Sequence, residues 1–321
     1  MTKYSKERPM RVLSLGMGQQ SVVLYLMSSM GLIARADYAI FSDTLSESAE
    51  TYKYLDWLVQ WSQRNNGIPI ICTGKGNLYN DIRFGTGKTK TTQRLGKLQQ
   101  TMVKGVNYLL NPMLGVTVQQ AKATRHFTTI PAFTRSPKGK VGMLRRQCTG
   151  DYKITEVDKA IRSLHGLAPR QRTPPTEIWM GITSDEIERM RYPRVGWQTF
   201  VYPFCNTVSW KDDFRRGDFD ITFRRSDCVT WLVDNEFPVP PKSACFFCPY
   251  QSDSRWLDMK KNRPEEWKQS VILDNAMRNS TKAGVKYPVF LHHSAVPLEE
   301  ADLQENQLDL FTTECHGVCG V

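Results

Sequence analysis

Long apolar runs are missing from this chain of 321 residues: no stretch approaches the roughly 20 apolar residues that a membrane-spanning helix needs. The charged segment 1–8 also lacks the apolar core of a secretory signal sequence. These two absences predict a cytoplasmic protein with no membrane partner.

Acidic residues are fewer than basic ones, 32 against 43, so the chain carries a net charge of +11. An excess of positive charge predicts a polyanionic partner such as DNA or RNA. Basic soluble proteins that bind no polyanion have the same composition, so both interpretations stay open.

The chain contains eight cysteines. Structural disulfides are rare in the reducing cytoplasm, so these cysteines favour a metal, a cluster or thiol chemistry over a disulfide framework. The length favours one elaborated α/β domain, alone or with a smaller appendage.

Two glycines interrupt an apolar pattern near the N-terminus. Residues 12–15 are mostly apolar, Gly16 and Gly18 follow, and after Ser21 the apolar pattern resumes. This order predicts a strand, a glycine loop and a helix, with backbone N–H groups and the positive end of the helix dipole available to a phosphate. Ser21 stands where a dinucleotide-binding loop has its third glycine, and no lysine follows as in a Walker loop, so both of those interpretations are disfavoured.

Strand and helix patterns alternate after this loop. The segment 36–41 reads as a strand, 47–61 as an amphipathic helix and 68–72 as a third strand. This alternation predicts an α/β fold with a doubly wound, mostly parallel sheet. Carboxylates follow two predicted strands, Asp43 after the second and the pair Asp185 and Glu186 after a strand over 177–182, at the edge where such sheets bind ligands.

We expect two regions along the chain. The first is a nucleotide-binding α/β domain over residues 1–235, with a basic insertion at about 74–129. The second, 236–321, is a cysteine-containing helical region with a C-terminal tail. Cys315 and Cys319 in the tail are a potential resolving pair or further ligands.

The strongest metal-type motif is Cys245-x-x-Cys248-Pro249, because two thiolates on a rigid turn can face one ion or one cluster. Cys148 and Cys228 are the candidates that complete the set. The spacing leaves three alternatives open: an iron–sulfur cluster, Zn²⁺, or thiol redox chemistry without a metal.

Several of these segments together resemble the PP-loop ATP pyrophosphatase superfamily. Within it the chain is similar to the adenine nucleotide alpha hydrolases and PAPS-reductase-like proteins of phages and bacteria. The resemblance rests on the loop Leu13–Ser21, on Phe41–Thr44 with Glu47, on Arg145–Thr149 with Lys153, on Gly181–Glu186, on Arg225–Cys228 and on Ser243–Tyr250.

The resemblance implies cleavage of ATP between its α- and β-phosphates, with Mg²⁺ neutralising the developing charge. It implies catalytic roles for Ser21, Asp43, Arg146, Lys153, Asp185 and Glu186. It assigns nucleotide binding to Ser14, Gly16, Met17, Gly18, Gln20, Ser21, Asp43, Thr44 and Gly181. A [4Fe–4S] cluster, or alternatively Zn²⁺, would be held by Cys148, Cys228, Cys245 and Cys248.

The chain departs from the family pattern at Gln20, where the commoner loop has an aspartate. A neutral amide cannot bind Mg²⁺ as a carboxylate does, so the metal role passes to Asp43 or Asp185. Sulfonucleotide reductases that carry a cluster have a Cys-Cys pair followed by a C-x-x-C motif. In this chain only one cysteine, Cys148, stands at the position of the pair.

The expected function is therefore an AMP-forming ATP pyrophosphatase that adenylates a nucleic acid (DNA or tRNA) or a nucleotide for sulfur transfer, with a sulfur donor protein as a further partner. Two alternatives remain. One is a PAPS/APS reductase-like, thiol-dependent sulfonucleotide reductase. The other is a nucleotide-binding subunit without catalytic activity.

Overall fold

The computed structural model describes residues 8–84, 129–279 and 285–303. The predictions for the basic insertion beyond residue 84 and for Cys315 and Cys319 lie outside the described residues. Within those three ranges, no helix combines the length and the apolar character that crossing a membrane requires.

The main sheet has seven strands in the order β3-β2-β1-β6-β7-β8-β9. Its first five strands are parallel, and the hairpin β8–β9 adds an antiparallel edge. A small antiparallel sheet has the order β10-β4-β5. The strands are β1 Met10–Ser14, β2 Tyr38–Ser42, β3 Ile70–Thr73, β4 Phe133–Arg135, β5 Val141–Met143, β6 Thr176–Trp179, β7 Gln198–Tyr202, β8 Thr207–Trp210, β9 Asp213–Arg216 and β10 Val289–Phe290.

Seven α-helices accompany these strands in the described part of the chain, and a π-helical segment, Thr149–Ile154, runs directly into the fourth. Residues 253–277 form two helices and not one, because Pro264 cannot continue the helix that precedes it. The helices are α1 Gln19–Ser29, α2 Ala49–Arg64, α3 Leu78–Phe84, α4 Thr155–Leu164, α5 Arg225–Asp234, α6 Asp253–Asn262 and α7 Pro264–Met277.

Both faces of the main sheet are covered, as the α/β prediction requires. Successive strand residues point to opposite faces. Leu13 of β1 therefore packs in one cluster with α1 and α2, while its neighbour Val12 packs in another with Val157 and Ile161 of α4. The sequence prediction of an α/β fold with a mostly parallel sheet is confirmed.

A separate apolar core lies beside the sheet. It joins Leu78 and Tyr152 to Phe247, Trp256 and Leu291, all of them buried. This core therefore combines residues from both sides of the predicted boundary at 235/236, which stays a prediction.

The strand order places a switch point at β1. The chain moves from β1 to β2 and β3 on one side and later to β6 and β7 on the other. Ligands of open α/β sheets bind outside the carboxyl ends of the strands at such a point. The segments that follow β1, β2 and β6 at this edge are 15–18, 43–47 and 180–183.

Candidate functional site

The first part of the site is the start of α1. Gly18 is its N-cap with φ −90° and ψ 168°, and no described side chain accepts a hydrogen bond from the first turn there. The first amide that donates to a carbonyl is that of Val22, to Gly18 O at 3.0 Å, so the earlier amides have no intrahelical acceptor. The turn depends on Met17, whose φ of +59° is left-handed.

The residues of this loop are largely enclosed. Ser14, Gly16, Met17 and Gly18 are buried, and the Ser21 hydroxyl donates to Gly18 O at 3.1 Å. In this structure Ser21 therefore stabilises the turn itself. The groups that the loop offers to an anion are its backbone amides and the helix dipole.

Gln20 links α1 to the segment after β6. Its Nε2 donates to Thr183 Oγ1 at 2.9 Å and to Glu186 Oε2 at 2.5 Å, and Glu186 also pairs with Arg189 at 2.7 Å. Its Oε1 is buried and has no hydrogen-bond partner among the described residues. The amide thus neutralises no charge, but it joins two segments at the edge of the sheet where ligands bind. An aspartate at this position would repel Glu186.

Gly181 packs against the backbone of α1 and does not border an open space. A Cβ built on Gly181 would lie 2.8 Å from Gln20 C and from Ser21 N. The strand β6 can therefore approach the first turn of α1 only with glycine at this position. The nucleotide-binding role of Gly181 stays a prediction, and any effect of Gly181 on a ligand would act through the position of α1.

Asp185 is exposed and accepts a hydrogen bond from Arg225 N at 3.1 Å. Partial burial raises its pKa, but hydrogen bonds, including one from Thr183, outweigh that effect and hold the pKa below its ordinary value. Asp185 is therefore ionised at neutral pH, as the proposed role in metal binding or charge stabilisation requires.

Asp43 follows the last residue of β2. Its Oδ1 accepts hydrogen bonds from Leu45 N at 2.7 Å and from the Tyr52 hydroxyl at 2.8 Å. Burial, assisted by the nearby Glu47 carboxylate, raises the pKa of Asp43 to about 6. Asp43 therefore changes its charge within the range in which many enzymes work.

Replacing Asp43 by asparagine is expected to stabilise the fold at neutral pH. Because the folded-state pKa of Asp43 is raised, its contribution to stability is present below the unfolded-state pKa and is lost as the pH rises through about 6. Asp43→Asn should thus raise the free energy of unfolding by about 1–3 kcal/mol at pH 7.5 and change it little at pH 4. Urea unfolding at the two pH values measures this, and an equal effect at both would contradict it.

Glu47 and Lys153 form a buried ion pair. Lys153 Nζ lies 3.3 Å from Glu47 Oε1, and their side chains are only 4% and 0% exposed. The Thr44 hydroxyl contacts the same oxygen at 3.3 Å, whereas Glu47 Oε2 is buried without a hydrogen-bond partner among the described residues. The π-helical segment brings Lys153 under the loop that follows β2.

Three of the four predicted thiol ligands share a pocket beside this ion pair. Thr44 Oγ1 lies 3.3 Å from Cys245 Sγ, and Phe246 N donates to Ser46 O at 3.0 Å, so the cysteine turn is held against the loop after β2. The turn itself closes with a bond from Cys248 N to Cys245 O at 2.9 Å. The pocket is lined by Thr44, Leu78, Ile130, Pro131, Arg146, Cys148, Thr149, Lys153, Cys245, Phe247, Cys248 and Pro249.

Cys228 does not join this pocket. It lies on α5 and is fully buried in the apolar cluster that contains α1. The structure therefore brings Cys148, Cys245 and Cys248 together, whereas Cys228 lies in a different cluster and its role as a fourth ligand stays a prediction. The spacing alone could not show this, because Cys228 has a ligand-like context and only its packing separates it from the others.

The protein environment of Cys245 does not by itself deprotonate its thiol. Burial raises its pKa well above the ordinary value, and the Glu47 carboxylate adds to the rise, while Lys153 opposes it. Deprotonation of Cys245 therefore requires a further positive charge in the pocket, as a bound metal provides.

Sequence reasoning missed the role of Glu47 as a buried carboxylate, because it was noted only as part of a family motif. A signal was present: a glutamate one residue before the helix-capping Ser48 and three after Thr44.

A scan against protein-family models, a search of curated proteins and a search of solved structures found no match for the chain.

Proposed function

We propose that the protein is an AMP-forming ATP pyrophosphatase of the PP-loop type, which adenylates a nucleic-acid or nucleotide acceptor for sulfur transfer at a cysteine-held [4Fe–4S] cluster. The observation that carries this proposal is the contact between Thr44 Oγ1 and Cys245 Sγ at 3.3 Å. This contact joins the ligand-binding edge of the parallel sheet to a pocket with three thiols. At the same edge α1 begins without a side-chain cap. Nucleotide activation and sulfur chemistry would thus share one site.

The β- and γ-phosphates fit the first turn of α1. Its free amides and the positive end of its dipole favour an anion, and the segment lies at the switch point of the sheet. Gln20 and Gly181 hold this turn in position. Asp43 and Asp185 are the carboxylates at the same edge that would hold Mg²⁺, which would supply charge neutralisation of the departing pyrophosphate.

We favour an iron–sulfur cluster over Zn²⁺ for the donors in this pocket. Tetrahedral zinc with Zn–S bonds of about 2.3 Å brings its thiolate sulfurs to about 3.8 Å from one another. Among the described residues, the one group of three potential ligand side chains within 4.8 Å of one another does not include these cysteines. Three thiols around a larger anionic cluster would leave one iron open for sulfur, and Arg146 and Lys153 line the pocket as counter-charges.

An exposed aromatic and basic surface supports a nucleic-acid acceptor. Tyr192, Trp210 and Phe214 are 46%, 41% and 39% exposed, and the rings of Tyr192 and Phe214 lie 4.6 Å apart. Lys211 Nζ and Arg215 Cζ lie 4.4 and 5.9 Å from the Trp210 ring. Unpaired bases stack on such rings while cations contact the backbone.

Anaerobic reconstitution with iron and sulfide tests the cluster. The wild-type protein should develop a broad absorption around 400 nm. Cys245→Ala should lose it because a ligand is removed, whereas the matched control Cys228→Ala should keep it because Cys228 lies in a separate apolar cluster. A colourless wild-type protein would refute the cluster, and bleaching by Cys228→Ala but not by Cys245→Ala would refute this set of ligands.

A further inference from the structure

A second group of metal-type side chains lies outside the proposed site. Asp253 is the first residue of α6, and His292 and His293 follow β10 after Leu291. Asp253 Oδ1 lies 2.8 Å from His292 Nε2 and 2.9 Å from His293 Nε2. The three ligand atoms all lie within 4.8 Å of one another.

The surroundings of this triad are those of a formed site. The side chains of Asp253 and His292 are 4% and 1% exposed, and that of His293 is 23% exposed, so the group opens to solvent on one side only. The Nδ1 atom of His292 lies 2.7 Å from Ser294 Oγ. A hydrogen bond at this second nitrogen fixes the ring so that Nε2 faces Asp253, as in metal sites where an outer partner orients the histidine.

Histidine is scarce in this protein, with five residues in the chain. Two of them are adjacent in sequence and direct the same ring nitrogen to one oxygen of a single carboxylate. Core packing needs only an apolar residue at such positions. The convergence of both rings is better explained by a shared ligand.

We propose that Asp253, His292 and His293 bind one divalent transition-metal ion, with open coordination positions on the side of His293. Two imidazoles and one carboxylate suit Zn²⁺, Fe²⁺ or Co²⁺, whereas Mg²⁺ and Ca²⁺ prefer oxygen ligands alone. The ion would bind each imidazole as a neutral ring that carries its proton on Nδ1, so a proton on Nε2 moves to Nδ1 and the ion takes its place beside Asp253. The bound ion would fasten the start of α6, five residues after Cys248, to the segment after β10.

Titration with Co²⁺ tests this site separately from the cysteine pocket. The full-length Cys245→Ala/Cys248→Ala protein removes that pocket, so its result does not depend on the proposed function. We expect one Co²⁺ per chain, with visible ligand-field bands and no thiolate-to-cobalt charge transfer. Excess Mg²⁺ should not displace it.

His293→Gln in the same background should weaken Co²⁺ binding by at least about tenfold, the loss typical of an impaired metal site. His165→Gln is the matched control, because His165 also bonds through Nε2, but to Thr176 Oγ1 away from the triad. Circular dichroism checks that each variant is folded. Absence of nitrogen- and oxygen-type Co²⁺ binding in the background protein, or equal binding by His293→Gln and His165→Gln, would overturn the proposal.

Discussion

Lys153→Met is expected to lower the free energy of unfolding by about 3–5 kcal/mol, the cost of removing one partner of a buried ion pair. Methionine has a similar length and fills the same space, so packing changes little. What is lost is the positive charge 3.3 Å from Glu47 Oε1, and the second oxygen of Glu47 already has no partner among the described residues. The carboxylate would then be buried without compensation.

The control for this prediction is Lys159→Met. Lys159 also pairs with a glutamate, Glu156, at 2.7 Å; the Glu156 side chain is 7% exposed, but that of Lys159 is 63% exposed, so water screens the charge of the lysine. An ion pair open to solvent through its cation contributes about 1 kcal/mol or less, so the control should lose much less stability than Lys153→Met. Urea unfolding of both variants gives the comparison, and similar losses for Lys153→Met and Lys159→Met would contradict a special role for the buried pair.

A double substitution separates charge from packing. Lys153→Met with Glu47→Gln removes both charges, and replacing a whole buried pair is often neutral or stabilising. We expect the double variant to recover most of the stability lost in Lys153→Met. The double variant, like Lys153→Met, should lack the proposed ATP pyrophosphatase activity, because the ion pair lies beside Cys245. This result is expected where a functional site is maintained at a cost in stability.

The first strands of the sheet could be predicted because they are encoded locally. In β1, Val12 and Leu13 are both apolar because both faces of a parallel sheet are covered, and glycines mark the end of the strand. The first helices and strands accordingly match the predicted alternation. By contrast, β8 and β9 have only four residues each, and all of β9 is exposed, so β9 has no burial pattern to recognise.

The site was only partly predictable, because several of its residues are defined by contacts distant in sequence. Gly181 resembles a ligand-binding glycine, yet its environment is the backbone of α1. Cys228 has the sequence context of a ligand and the packing of a core residue. The triad at Asp253 depends on a contact with His292 across 39 residues, which no local pattern indicates.

The N-cap of α1 offers a substitution that isolates charge. Gly18 has φ −90° and ψ 168°, a backbone conformation open to other residues, and aspartate and asparagine are both good N-caps. Gly18→Asp and Gly18→Asn should therefore differ only in charge. Like charges about 4 Å apart repel by about 4 kcal/mol at an effective dielectric constant of about 20, so ATP should bind Gly18→Asp at least about 100-fold more weakly than Gly18→Asn.

Competition binding with labelled ATP tests most directly whether the start of α1 holds the β- and γ-phosphates. With the wild-type protein, pyrophosphate should displace ATP, whereas AMP at the same concentration should not. Gly18→Asn should retain this behaviour and Gly18→Asp should lose ATP binding. Displacement by AMP but not by pyrophosphate, or equal ATP affinity in the two variants, would show that the phosphates are bound elsewhere.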